Sequence, residues 1–193
     1  ISLVILVFSA ILHEVAHGWV ANRLGDPTAR LLGRLTLSPI PHIDPLMSIL
    51  LPLILIFSGS PIVFGAAKPV PVDPFNLRDG RRDMALVSLA GPITNFLIAA
   101  VAALILKFGV SFIPNPFFLE VILRIVELNL LLGIFNLIPI PPLDGSKVFA
   151  LLLPEDTAKS YLSIGAYGMF ILFFLLLFPI GGFSLGSLIG SLL

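Results

Sequence analysis

Four stretches of the chain, 1–21, 84–108, 118–138 and 160–180, are each predominantly apolar over about the twenty residues a helix needs to cross a bilayer core. That pattern leaves few folds open. In lipid every backbone N–H and C=O must find its partner inside the protein, so runs of this length become helices. The expected fold class is therefore an all-α polytopic membrane protein. Composition agrees, with 58% hydrophobic and only 11% charged residues, where a soluble domain carries about 25% charged. The net charge of zero gives no electrostatic footprint for nucleic acid. No cysteine is present, which excludes disulfides and thiolate metal sites. Any metal must then sit on His, Asp or Glu.

Because the sequence opens on Ile1 rather than Met, further residues are expected ahead of it. Residues 1–12 do not read as a signal peptide: no basic flank precedes them and no small-residue cleavage site follows. A fifth apolar stretch, 46–66, differs from the other four. Its unbroken part, Leu46 to Phe57, contains Pro52 and is followed by the turn signal Ser58-Gly59-Ser60-Pro61. It reads as a re-entrant hairpin. Charge supports this. If 46–66 enters and returns, loops 22–45, 67–83 and 139–159 share one side. They carry Arg23, Arg30, Arg34, Lys68, Arg78, Arg81, Arg82, Lys147 and Lys159, nine of the eleven Lys and Arg residues. The positive-inside rule puts that side in the cytoplasm. No repeat or composition shift divides the chain, so residues 1–193 read as a single domain.

Chemistry concentrates in the first helix, at His13-Glu14-Val15-Ala16-His17. Histidines four apart lie about 40° apart around a helix and about 6 Å apart along it. Both can reach one zinc ion, and Glu14 can reach a water on that ion without being a ligand. Three ionisable groups in an apolar helix cost several kcal/mol unless coordinated or paired. Catalytic zinc needs a third protein ligand. Asp144 is the best candidate, in the Pro-rich run Asn136-Leu137-Ile138-Pro139-Ile140-Pro141-Pro142-Leu143-Asp144-Gly145. Irregular backbone survives at membrane depth only against protein or a wet cavity, so this run reads as a shaped loop carrying a ligand. Asn95 and Asn136 are amides at the same depth. Either can donate to a tetrahedral oxyanion or to the scissile carbonyl. Asn136 is favoured for that role because it adjoins the Asp144 loop. Asn95 stays open between it and a hydrogen bond between helices. His42 reads as an interfacial histidine with a backbone partner, with an additional ligand as its other reading. Arg34-Leu35-Thr36-Leu37 reads either as an edge strand for an extended substrate or as a plain cover of the site.

The sequence at this point resembles the site-2 protease family of intramembrane zinc metalloproteases. The resemblance rests on His13 to His17, on Gly91-Pro92-Ile93-Thr94-Asn95, and on Asn136 to Gly145. It implies one zinc ion per chain bound by His13, His17 and Asp144, with Glu14 as catalytic base. It also implies a three-helix catalytic core over 1–21, 84–108 and 118–138, and substrates that are transmembrane segments of membrane proteins, cut near the cytoplasmic face. The hairpin 46–66 and a C-terminal membrane helix, 160–180, would flank that core. The chain is similar to the compact branch without PDZ or CBS domains. Two other readings remain: a transporter or metal-ion permease, which also places His, Asp and Asn at membrane depth, and a catalytically silent homologue that binds helices. Oligomeric state is not readable.

Overall fold

A computed structural model describes residues 1–59, 67–110, 115–165 and 167–168. Every regular element among them is helical. Three long helices form the body: α1 (Ser2–Leu24), α4 (Gly80–Gly109) and α5 (Pro116–Asn136). Between α1 and α4 lie the short α2 (Thr28–Leu31), a 3-10 turn (Ile40–His42), and a helix that runs π-like over Pro45–Leu50 and continues as α3 (Leu51–Phe57). After α5 come α6 (Asp144–Ala150) and α7 (Glu155–Ser163).

Local chemistry sets the boundaries. Asn115 caps α5, its side chain accepting from Phe117 N at 3.0 Å, and Pro116 takes the first helical position, where a missing N–H costs nothing. α5 stops at Asn136 because Pro139 cannot continue it. The π-like start of the fifth apolar stretch is capped by Asp44, which accepts from Leu46 N and Met47 N. That stretch is helical to Phe57 and turns at Ser58 and Gly59; residues 60–66 lie outside the described ones. The C-terminal membrane helix expected over 160–180 also lies mostly outside them. Helices α1 and α4 are long and apolar enough to cross a membrane. α5 is nearly as long as α1, but carries Glu120, Arg124 and Glu127, with Arg124 and Glu127 paired at 2.9 Å.

α4 packs against both α1 and α5, and its packing is inverted relative to a soluble protein. Apart from Ile11, Val87 and Pro92, the buried positions of these helices are small or polar, among them Ser9, His13, His17 and Gly18 on α1; Ser88, Gly91, Asn95 and Ala99 on α4; Asn129 and Gly133 on α5. Large apolar side chains such as Leu3, Phe8, Leu97, Val101 and Leu104 face outward. With hydrocarbon outside, apolar burial gives little drive. Close approach at small residues and hydrogen bonds between helices hold such a bundle. Gly133 shows the first device: a Cβ there would come within 2.9 Å of the Phe96 ring.

One end of the bundle is tied by polar contacts. Asp26 is fully buried and accepts from Thr28 N (3.0 Å) and Thr28 Oγ1, from Asp73 N (2.8 Å) and from Asn76 Nδ2 (3.1 Å). Arg81 at the start of α4 donates to the carbonyls of Ala150 and Leu153. The end of α1, the start of α4 and the end of α6 therefore lie together. Burial pushes the Asp26 carboxyl up, but these donated hydrogen bonds outweigh it and hold the carboxyl below the usual carboxylate range. A depressed folded-state value stabilises the fold above the unfolded pKa of about 3.9, and that gain is lost as pH falls through the folded value. In thermal melts of detergent-solubilised protein, Asp26→Ala is expected to cost about 1–3 kcal/mol at neutral pH. The difference from wild type should shrink below pH about 4; equal melting temperatures at pH 7 would refute the clamp.

Candidate metal centre

The two histidines lie one turn apart on α1, and both are buried. Each ring is held through Nδ1. His13 Nδ1–H donates to Asn95 Oδ1 at 2.6 Å, and His17 Nδ1–H donates to the Val87 carbonyl at 2.6 Å. Both Nε2 atoms are thereby left as lone-pair acceptors facing the same point. Asp144 meets them there. Its Oδ2 lies 3.1 Å from His13 Nε2 and 3.2 Å from His17 Nε2. Its other oxygen, Oδ1, accepts from Lys147 Nζ at 3.4 Å, and Lys147 also donates to the Pro142 carbonyl at 2.9 Å.

This donor set fits zinc. Two imidazole lone pairs and a carboxylate oxygen crowded together repel one another unless a positive charge lies among them. A tetrahedral zinc ion with donors about 2.0–2.2 Å away spaces those donors roughly 3.3–3.6 Å apart, close to the separations of 3.1 and 3.2 Å found here. The outer hydrogen bonds on both Nδ1 atoms are those that fix ring and tautomer in zinc sites. Among the described residues, these three are the group whose ligand atoms converge.

The surrounding chain makes room for the group. Gly91 on α4 lies against the Nε2 edges of the two imidazoles: a Cβ there would stand 2.5 Å from His13 Nε2 and 2.5 Å from His17 Nε2. Asp144 is the first residue of α6 and follows the irregular run that closes α5. Gly145 is part of that geometry, since a Cβ on it would collide with the Leu137 carbonyl group. Asp144 thus sits at the start of a short helix that packs against α4, rather than on the loop itself.

Glu14 is outside the converging group. Its Oε2 accepts from Val70 N at 2.7 Å, so the connector after residue 66 fixes the carboxylate beside the histidines' helix. The connector is itself pinned: Arg34 donates to the carbonyls of Lys68 and Pro69, and Lys68 N donates to the His42 carbonyl. His42 is buried, donates Nε2–H to the Thr36 carbonyl at 3.0 Å, and is not in the converging group. Residues 35–37 form a bend with Leu35 packed towards Gly18, and no strand occurs among the described residues.

The two amides part company. Asn95 is fully buried and bonds His13, while Asn136 donates to Leu132 O of its own helix at 3.0 Å. Asn129, Lys147 and the Val87 carbonyl all touch the centre or its partners, and sequence reasoning passed over them. Two were visible as spacings: Asn129 is two helical turns before Asn136, and Lys147 is one turn after Asp144.

Two imidazoles and a carboxylate on one point, beside an H-E-x-x-H glutamate, make up the donor set expected of a zinc metallopeptidase centre. The model of Peptidase family M50 matches residues 115–179. The chain is 34% identical over 192 residues to the Bacillus subtilis protein named "Putative zinc metalloprotease YwhC", covering 96% of this chain and 84% of that one. It is 35% identical over 179 residues to a Mycobacterium tuberculosis protein named "Putative zinc metalloprotease Rip2" (87% of this chain, 62% of that one). The Rip2 of Mycolicibacterium smegmatis is 31% identical over 173 residues (90% and 65%). The chain thus spans a little under two thirds of the two mycobacterial proteins. No solved structure gives a significant match. The chain belongs to peptidase family M50, the zinc metalloendopeptidases of site-2 protease type.

Proposed function

We propose that this chain is a multi-pass intramembrane endopeptidase that hydrolyses peptide bonds in the transmembrane segments of other membrane proteins. The observation that carries the reading is the meeting of His13, His17 and Asp144 inside a bundle whose outer face is apolar. In this reading those three residues hold zinc. When bound, zinc supplies a Lewis acid that polarises the substrate carbonyl and acidifies a water to a pKa of about 7. Glu14 takes the proton of the attacking water and returns it to the leaving amine nitrogen. Asn95 holds the His13 ring, and the Val87 carbonyl holds that of His17.

Topology follows from the tied end of the bundle. Asp26, after α1, accepts from Asp73 and Asn76, before α4. The chain between them leaves and returns to one end, which supports a re-entrant 46–66. The same end carries Arg23, Arg34, Arg78, Arg81 and Arg82, which supports a cytoplasmic position for it and for the site. Residues 1–193 then act as one domain.

The test is cleavage by purified protein in proteoliposomes. A synthetic transmembrane helix and a water-soluble peptide carrying the same scissile sequence are offered, with and without a zinc chelator. Only the membrane-inserted helix should be cut, at a bond that mass spectrometry places within its apolar stretch. Chelation should stop cleavage and added zinc restore it. Equal cutting of the soluble peptide would overturn the intramembrane assignment, and cleavage insensitive to chelation would overturn the metal mechanism.

A further inference from the structure

The deepest polar side chain on α5, Asn129, is fully buried and absorbed by nothing in the mechanism above. It sits in an unbroken line of hydrogen bonds that ends on a zinc ligand. Asn129 Nδ2 donates to the Ile125 carbonyl at 2.8 Å and to Ser9 Oγ at 2.9 Å. Asn129 Oδ1 accepts from Asn95 Nδ2 at 2.9 Å. Asn95 Oδ1 accepts from His13 Nδ1–H at 2.6 Å. The line crosses all three long helices.

We infer that Asn129 is a positioning residue that sets which nitrogen of His13 carries the proton, and so keeps Nε2 free for the metal. The direction of the line is forced from its far end. An amide side chain presents an oxygen on one side and an NH2 on the other. The Ile125 carbonyl can only accept, so it holds the Asn129 NH2 towards itself. The Asn129 oxygen then faces Asn95, and Asn95 must answer with its own NH2. That leaves the Asn95 oxygen towards His13, which must donate from Nδ1. Each step has one solution, because reversing either amide would set two acceptors or two donors against each other in a site that water does not reach. Ser9 adds contact without direction, since a hydroxyl both donates and accepts. The two histidines are thus oriented by different means. His17 is set directly by a backbone carbonyl that no substitution removes. His13 is set through two side chains, and its tautomer depends on both.

This inference rests on the reading of His13 as a zinc ligand, but its closing experiment separates the two. The chain contains three histidines, so histidine-selective 15N labelling gives a short list of imidazole signals in detergent micelles. In metal-free wild type, His13 should keep its Nδ1–H, whether Nε2 is bare or shares a proton with the Asp144 carboxylate beside it. Asn129→Leu keeps the volume but not the polarity. It should mix the two His13 tautomers, leave His17 unmoved, and weaken zinc binding by about 10–100-fold in competition with a chromogenic chelator, as loss of an outer hydrogen bond to a ligand does. Asn129→Asp has the same shape. Protonated in this apolar burial, it keeps an oxygen for Asn95 and an O–H for the Ile125 carbonyl. It should hold the wild-type tautomer and stay within a few-fold of wild-type zinc affinity.

A Leu variant with an unchanged His13 tautomer overturns the inference. So does equal zinc loss in the Leu and Asp variants, which would mean only that the bundle needs asparagine to pack. Should the Leu variant fail to fold, the Asp variant decides alone: Nδ1–H retained supports the relay, and a shift to Nε2–H overturns it. Wild type that binds no zinc while showing the expected tautomer refutes the ligand reading and leaves the relay standing.

Discussion

Glu14→Gln is expected to abolish peptide hydrolysis while leaving zinc in place. The carboxylate is not in the converging group of His13, His17 and Asp144, so its loss removes no ligand. Its hydrogen bond from Val70 N, at 2.7 Å, can be accepted by the amide oxygen of glutamine as well. The fold and the pinned connector should therefore persist. What glutamine cannot do is take a proton. General-base contributions run to about 10²–10⁴-fold, and kcat should fall by that much with KM little changed. Zinc content by elemental analysis should stay at one per chain. Substantial residual cleavage would remove Glu14 from the base role, and loss of zinc would show that it helps to build the centre.

Gly91→Ala should disable the enzyme by a different route. In the interior of an exposed helix this substitution is favourable by about 1 kcal/mol. Here the added Cβ would lie 2.5 Å from both histidine Nε2 atoms, on the side of the rings that α4 covers. The rings cannot step aside cheaply, because Asn95 and the Val87 carbonyl hold their Nδ1 atoms. Either the helices part, at a cost of about 1–3 kcal/mol, or the two ligands turn away from Asp144. Displacement of reacting groups by about 1 Å costs on the order of 10²-fold in rate, and zinc retention should fall with it. A variant with full zinc occupancy and wild-type kcat would show that α4 does not form the wall of the site.

Much of this was legible in the residues. The apolar runs gave the three long helices to within a few positions, and histidines four apart gave two donors on one face. Asp144 could be singled out because a carboxylate beside prolines at membrane depth has few uses. The partner shell was harder to read. Asn136 was favoured over Asn95 because it adjoins the Asp144 loop, yet proximity along the chain says nothing about where a side chain points. One turn back, the Leu132 carbonyl is within reach of Asn136, and it takes the bond. Asn95 faces the interior because Gly91, one turn before it, allows α4 to press against α1. The roles of Val87 and Ile125 could not have been read from side-chain types at all, since both act through backbone carbonyls. Arg34 to Leu37 has the alternation of a strand, but Arg34 is spent on the Lys68 and Pro69 carbonyls and the segment bends instead.

Asp144 stands 131 residues after His13, and that interval has a consequence for biosynthesis. At ribosomal speeds of about 5–20 residues per second, the last ligand is made on the order of 7–26 s after the first. Throughout that window the two histidines sit in the nascent protein with their third partner unsynthesised. Under the proposed ligand set the cage stays open, and the protease inert, until Asp144 has been made.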